Sequence, residues 1–168
     1  MYYFVNAVNQ TAIKWVSDSL LLTASSSAPR VTLWNVEGQI QNKYLYEVER
    51  GKEAAASQAN KLEMVRERKV LMAGCEDGFV RLFDMISGKV IKKLQARGAV
   101  SSVMEWDWSL LAGDHSGCLS LWDSRTFKLI EQREGVHLTK YDCGITSLGR
   151  SGQCLLSGGA DGLVKIFI

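Results

Sequence analysis

The residues of this 168-residue chain whose types could support chemistry are few: two histidines, four cysteines and one Gly-Gly pair. Asp114-His115-Ser116 places a carboxylate, an imidazole and a hydroxyl in succession, the side-chain types of acyl-transfer catalysis. No known nucleophile motif surrounds them, however, and the corresponding slots elsewhere read Cys75-Glu76-Asp77 and Gly159-Ala160-Asp161, which marks the stretch as a hairpin turn. Cys75, Cys118, Cys143 and Cys154 contain no CxxC pair, so neither a zinc site nor a redox pair has its required spacing, and reduced thiols are expected. Gly158-Gly159 runs into Ala-Asp-Gly with no helix to follow, which excludes a phosphate loop. The expectation is therefore no catalytic residue, no cofactor and no metal.

The elements that carry these residues belong to one domain of ordinary globular composition, 46% hydrophobic and 23% charged. Twenty basic and 18 acidic side chains leave a net charge of +2, which does not commit the chain to nucleic acid. The one local basic cluster, Lys89, Lys92, Lys93 and Arg97, falls on a predicted outer strand and reads as a solvated face. The opening MYYFVNAVNQ has neither a positive n-region nor an apolar run long enough for a signal peptide. No window approaches 18 uncharged apolar residues, so membrane insertion is not expected and a cytoplasmic or nuclear location is.

Self-comparison aligns four segments without gaps: TASSSAPRVTLWNV from Thr23, MAGCEDGFVRLFDM from Met72, LAGDHSGCLSLWDS from Leu111 and LSGGADGLVKIFI from Leu156. Each carries an aromatic, Trp34, Phe83, Trp122 or Phe167, preceded at a fixed offset by two small residues. The aromatics recur at intervals bracketing roughly 40–45 residues, a propeller period. Asp77-Gly78 and Asp161-Gly162 supply turns that tolerate positive φ, and Ser116-Gly117 does so in the third copy. The strands that follow alternate imperfectly between apolar and polar residues, as sheets packed on neighbouring sheets require. Small residues suit the crowded axis of such an array, and the aromatic fills the wider gap between sheets.

On these repeats the chain resembles the WD-repeat family over nearly its whole length. The closing dipeptides are Trp122-Asp123, Phe83-Asp84 and Trp34-Asn35, while the fourth copy runs Phe167-Ile168. The family's Gly-His opening does not stand in LQARGAVSSV or VHLTKYDCGITSL, so Asp77 and Asp161 are expected to brace their turns without an assigned histidine partner. The resemblance implies an all-β fold, a WD-repeat-like β-propeller of four four-stranded blades over residues 1–168. The turns place the blades at about 12–48, 61–95, 100–133 and 145–168, with 2–8 as a spare outer strand able to pair beside the last. WD-repeat propellers usually have seven blades, so three readings of the count stand open. The chain is part of a larger, seven-bladed-type propeller, it is completed by a second copy or a partner chain, or it closes alone.

Two connections exceed what the repeat needs, Arg50 to Asn60 and Gly135 to Gly144, and both are expected on one rim of the array. The second carries His137, Lys140, Tyr141 and Asp142, a mixture suited to protein contact with Tyr141 as its anchor. Trp106-Asp107-Trp108 is expected to place both rings on one face by strand alternation, either packed between blades or, with Trp108, exposed on the opposite rim; Trp15 is expected in the core. The family resemblance implies a non-enzymatic scaffold or adaptor that binds other proteins or peptides. Its members serve in ubiquitin-ligase substrate selection, trafficking coats and chromatin complexes. The competing class is a hydrolase-like enzyme with carboxylates gathered at the propeller axis, which would need Glu105 and Asp114 to converge on a metal.

Overall fold

A computed structural model describes residues 10–26, 28–47, 57–65 and 68–168. The spare strand expected at Tyr2–Val8 and most of the Arg50–Asn60 connection lie outside the described residues. Fifteen strands follow one another: β1 (Gln10–Ser17), β2 (Leu20–Ser25), β3 (Arg30–Asn35), β4 (Ile40–Leu45), β5 (Ala59–Val65), β6 (Val70–Cys75), β7 (Phe79–Asp84), β8 (Val90–Gln95), β9 (Val100–Trp106), β10 (Ser109–Asp114), β11 (Leu119–Asp123), β12 (Leu129–Arg133), β13 (Ile145–Ser151), β14 (Cys154–Gly159) and β15 (Val164–Phe167). They form four antiparallel sheets in chain order, β1 to β4, β5 to β8, β9 to β12, and the three-stranded β13 to β15. This is a four-blade β-propeller array, with the first strand of each sheet beside the first strand of the next.

Side chains on the inner strands stitch neighbouring blades together. Thr11 Oγ1 donates to the Ala59 carbonyl at 2.6 Å, Asn60 Nδ2 to the Val100 carbonyl at 3.1 Å, and Ser101 Oγ to the Ile145 carbonyl. The crowding here accounts for the small-residue pairs. A Cβ on Gly74 would lie 2.5 Å from Val100, and one on Gly113 would lie 2.4 Å from Ile145, both residues of the following blade's inner strand.

Among the described residues three apolar cores fill the gaps between successive blades. In the first, Phe83 is fully buried with Tyr44 and Tyr46 of the preceding blade at 5.9 and 6.1 Å between ring centroids. Burying such a ring contributes on the order of 1.5–3 kcal/mol. Trp122 occupies the same place in the second core, and Phe167 packs at the edge of the third. Trp34 is buried as well and donates its indole N–H to Thr23 Oγ1 at 2.9 Å.

That last bond exposes a shift of register. Phe83, Trp122 and Phe167 stand opposite Leu71, Leu110 and Leu155, but Trp34 stands opposite Leu21, one residue further back. The first hairpin turn therefore holds one residue more than the others, and the gapless alignment of the first copy is corrected by one position. Thr23, not Ala24, is the counterpart of Ala73, Ala112 and Ser157.

The acidic or amide residue after the aromatic in the first three copies closes the next turn. Asp84 Oδ1 accepts from the Ile86 and Ser87 amides at 2.8 and 2.7 Å, Asp123 Oδ1 from Arg125 and Thr126 at 2.9 and 2.7 Å, and Asn35 Oδ1 from Glu37 and Gln39 at 3.1 and 2.8 Å. Those amide bonds, the largest influence on each carboxylate, hold Asp84 and Asp123 below the ordinary carboxylate range.

Trp15 departs from expectation. Lys14 reaches inward to Glu63 of β5 at 2.7 Å, so by strand alternation its neighbours Ile13 and Trp15 point away from the second blade, and both are exposed. Trp106 and Trp108 are likewise not paired on one face. Asp107 takes a positive φ of 50°, which breaks the alternation. Trp106 packs against the third core, while Trp108 is 58% exposed with the Arg125 guanidinium 4.8 Å from its ring centre.

Candidate functional site

The two rims are distinguished by which turns bond to which. On one rim the turn between the second and third strands of a blade bonds to the connection entering that blade: Glu76 N to Gln58 O at 2.8 Å, His115 N to Ala99 O at 2.9 Å, and Ala160 N to Gly144 O at 2.8 Å. On the other, the remaining turns bond together, as in Ser124 N to Trp108 O at 2.8 Å. The 134–144 connection thus lies on the first rim and Trp108 on the second.

Three blades brace the same turn with different chemistry. In the second, Asp77 accepts both arms of the Arg81 guanidinium at 2.9 and 2.5 Å, with both side chains buried. Burial would raise the Asp77 carboxyl, but the guanidinium more than reverses this and holds it below its ordinary range. Arg81 also stacks 4.6 Å from the Tyr46 ring centre. In the third blade the acid sits two residues earlier. Asp114 Oδ1 takes the Ser116 amide and hydroxyl and the Cys118 amide, and Oδ2 takes the Arg97 and Gly98 amides.

The fourth blade uses a histidine. His137, 1% exposed, meets Asp161 Oδ1 at 2.9 Å through Nδ1 and Ser157 Oγ at 2.8 Å through Nε2. Gly159 makes room for the ring, since a Cβ there would lie 2.1 Å from Nδ1. Burial would raise the Asp161 carboxyl, but the His137 ring and the Leu163 and Leu138 amides hold it down at about 2. Asp161 therefore does have a histidine partner, and His137 is corrected from an accessible contact residue to a buried brace. The sequence signal was Gly135-Val136-His137, a Gly and a His one residue apart rather than adjacent.

That brace roots the loop above it. The Leu138 amide donates to Asp161 Oδ2 at 3.1 Å, and the His137 amide to the Gly117 carbonyl at 3.3 Å. At the tip, Lys140 and Cys143 exchange both backbone bonds at 2.9 and 3.1 Å, closing a two-residue turn. Tyr141 and Asp142 occupy it at φ 54° and 57°, the left-handed conformation of a type I′ turn that ordinarily selects Gly or Asn. Tyr141 is consequently held outward, 88% exposed, with Leu138 beside the root 73% exposed and the Lys140 ammonium 5.3 Å from the Tyr141 ring centre. Lys140 and Asp142 are exposed too. Leu138 is the member of this surface that residue chemistry alone did not single out.

Glu105 and Asp114 do not converge. They lie at opposite ends of the β9–β10 ladder, paired with Leu110 and Val100, on the order of 13 Å apart by strand rise. Among the described residues no group of three potential ligands could hold a metal, and no helix is long and apolar enough to cross a membrane.

A family model described as the anaphase-promoting complex subunit 4 WD40 domain matches residues 13–109, and one for the WD domain, G-beta repeat, matches 135–167. No curated protein sequence matches the chain. Among solved structures it is similar to the computationally designed protein Ika4 (18% identity, TM-score 0.76, 99% of this chain and 98% of that one). It is also similar to the designed protein Ika8 (19%, TM-score 0.73) and to Sqt1 of Saccharomyces cerevisiae (12%, TM-score 0.77), each match covering 94% of this chain. The chain spans 45% of the length of Ika8 and of Sqt1.

Proposed function

The chain belongs to the WD40-repeat family, whose domains generally mediate protein–protein interactions, and from that premise we propose that it is a non-enzymatic scaffold that captures a partner protein on the Tyr141 rim. The observation that carries this reading is the tip of the 134–144 loop. A tyrosine in a left-handed turn costs on the order of 1 kcal/mol relative to a residue suited to it, and the ring, 88% exposed, is little buried in return. Strain of this kind is retained where the exposed side chain is used. Tyr141, Leu138, Lys140 and Asp142 combine an aromatic anchor with a polar surround, the composition of a protein-binding hot spot. Because both ends of the loop are fixed to the blade, the tip is presented with little ordering left to lose on binding.

A place in a larger assembly accords with the family model, which is that of a subunit of a multiprotein complex. Ubiquitin-ligase substrate selection in the cytoplasm or nucleus is one such role. Trp108, with Arg125 stacked on it, offers a second contact point on the far rim, so that one molecule can hold two partners. The test is proximity crosslinking in cells with a photoreactive residue at position 141, 138 or 108. Adducts at 141 and 138 are expected, those at 138 vanishing with Tyr141→Gly; equal crosslinking at an exposed control such as Lys128 would overturn the assignment.

A further inference from the structure

Each blade turns the same apolar face to the blade that follows it. In the second blade Met72, Val80 and Leu82 enter the core shared with the third, and in the third Leu111, Leu119 and Leu121 enter the core shared with the fourth. Strand register fixes the equivalents. Met72 stands opposite Leu82 and Gly74 opposite Val80; Leu111 stands opposite Leu121 and Gly113 opposite Leu119; in the fourth blade Leu156 stands opposite Ile166 and Gly158 opposite Val164. Val164 and Ile166 are 71% and 63% exposed, so the fourth blade offers a following blade the face that its predecessors bury.

The first blade carries the complement. Leu62 and Met64 of β5, opposite Ala73 and Leu71, pack into the core shared with the first blade. Their counterparts on β1 are Ile13 and Trp15, opposite Thr23 and Leu21, and these are 63% and 59% exposed. Trp34 on this side is already buried, so β1 carries the apolar surface left open. The polar stitching runs in the same series. Thr11, Asn60 and Ser101 each stand at the bulge of an inner strand and donate to the next blade. Thr146 holds that position in the fourth blade, and its bond to Gly158 O at 3.1 Å is the one Ser101 makes to Gly113 O at 3.0 Å alongside its bond across the junction. Ala59, Val100 and Ile145 are the acceptors of that series, and their counterpart in the first blade is Gln10.

We propose that a second copy of this chain covers both faces, the first blade of each copy seating on the fourth blade of the other. Ile13 and Trp15 pack on Val164 and Ile166 of the other copy, continuing the junction that already joins successive blades. Two copies make a ring of eight, within the range of about four to eight blades that propellers adopt, whereas a third copy would exceed it. A half-turn satisfies every face, so the assembly closes instead of growing into a filament. Head-to-tail stacking also sets both Tyr141 tips on one rim, where a partner with two binding segments gains avidity.

The test is light scattering on the 168-residue chain. A mass twice the 18.7 kDa of one copy is expected, with a melting temperature that rises with protein concentration. Ile166→Glu and Trp15→Glu, each alone, should raise the dissociation constant at least about a hundredfold, because each sets a charge in an apolar junction. Both side chains are exposed in the single copy, so all three proteins should melt at the same temperature when diluted until the unaltered chain is itself monomeric. Ile86→Glu, at a residue 76% exposed in the turn after β7, should leave the dimer intact. A monomer at about 0.1 mM chain, assemblies of three or more copies, loss of the dimer in only one of the two variants, or equal loss with Ile86→Glu would each overturn the proposal.

Discussion

The second and fourth blades set the same hairpin with opposite electrical means. Asp161 is met by an imidazole that also serves Ser157, whereas Asp77 is met by a guanidinium that is always charged. The first arrangement can share its proton and tolerates modest burial. The second places two full charges out of solvent and holds only while both are present. Equivalent positions in a repeat therefore conserve the demand for donors at the turn, not the residue that supplies them.

This contrast can be broken most directly at Asp77. Asp77→Ala leaves Arg81 buried without its counterion and should cost about 3–5 kcal/mol in a denaturant melt, while the double variant Asp77→Ala, Arg81→Met should recover most of that. A double variant no better than the single would show that the ion pair is not the unit that matters. Phe83→Ala and Trp122→Ala should cost a similar 3–5 kcal/mol, because each opens a void between sheets. An unchanged midpoint for both would remove the blade packing on which the comparison rests.

His137→Ala is milder. It strands Ser157 and Asp161 at a site one side of which is near solvent, for about 1–3 kcal/mol, and it should loosen the loop above as seen by faster amide exchange at Leu138. Tyr141→Gly goes the other way, raising stability by about 1 kcal/mol as the strained turn relaxes, while partner capture is lost. A destabilised Tyr141→Gly would mean that the ring packs on something and is not held out for use. The acid limb gives the gentlest probe. Asp161 titrates in the fold at about 2 and unfolded near 4, so its contribution is full above pH ~4 and drains as pH falls through about 2. Asp161→Asn should flatten that part of the urea midpoint against pH.

The hairpins, the aromatic of each blade and the small residues at the axis were legible because each is dictated by local turn chemistry or by a fixed offset along the chain. What was not legible depended on one-residue displacements. The extra residue in the first turn hid Thr23 behind Ala24, and Val136 between Gly135 and His137 disguised the histidine brace as a loop residue. Trp15 was misplaced, and Trp106 and Trp108 were wrongly set on one face, because alternation tells which side chains share a face, not what lies against that face or where a positive φ interrupts it.

Every sheet joins its strands in the order in which they are synthesised, with no strand crossing from one sheet to another among the described residues. Each blade can thus complete its ladder as soon as its own residues leave the ribosome, without waiting for a distant segment. Only the contacts between blades must await the next one, so emergence of the chain and consolidation of the array proceed in step, one hairpin pair at a time.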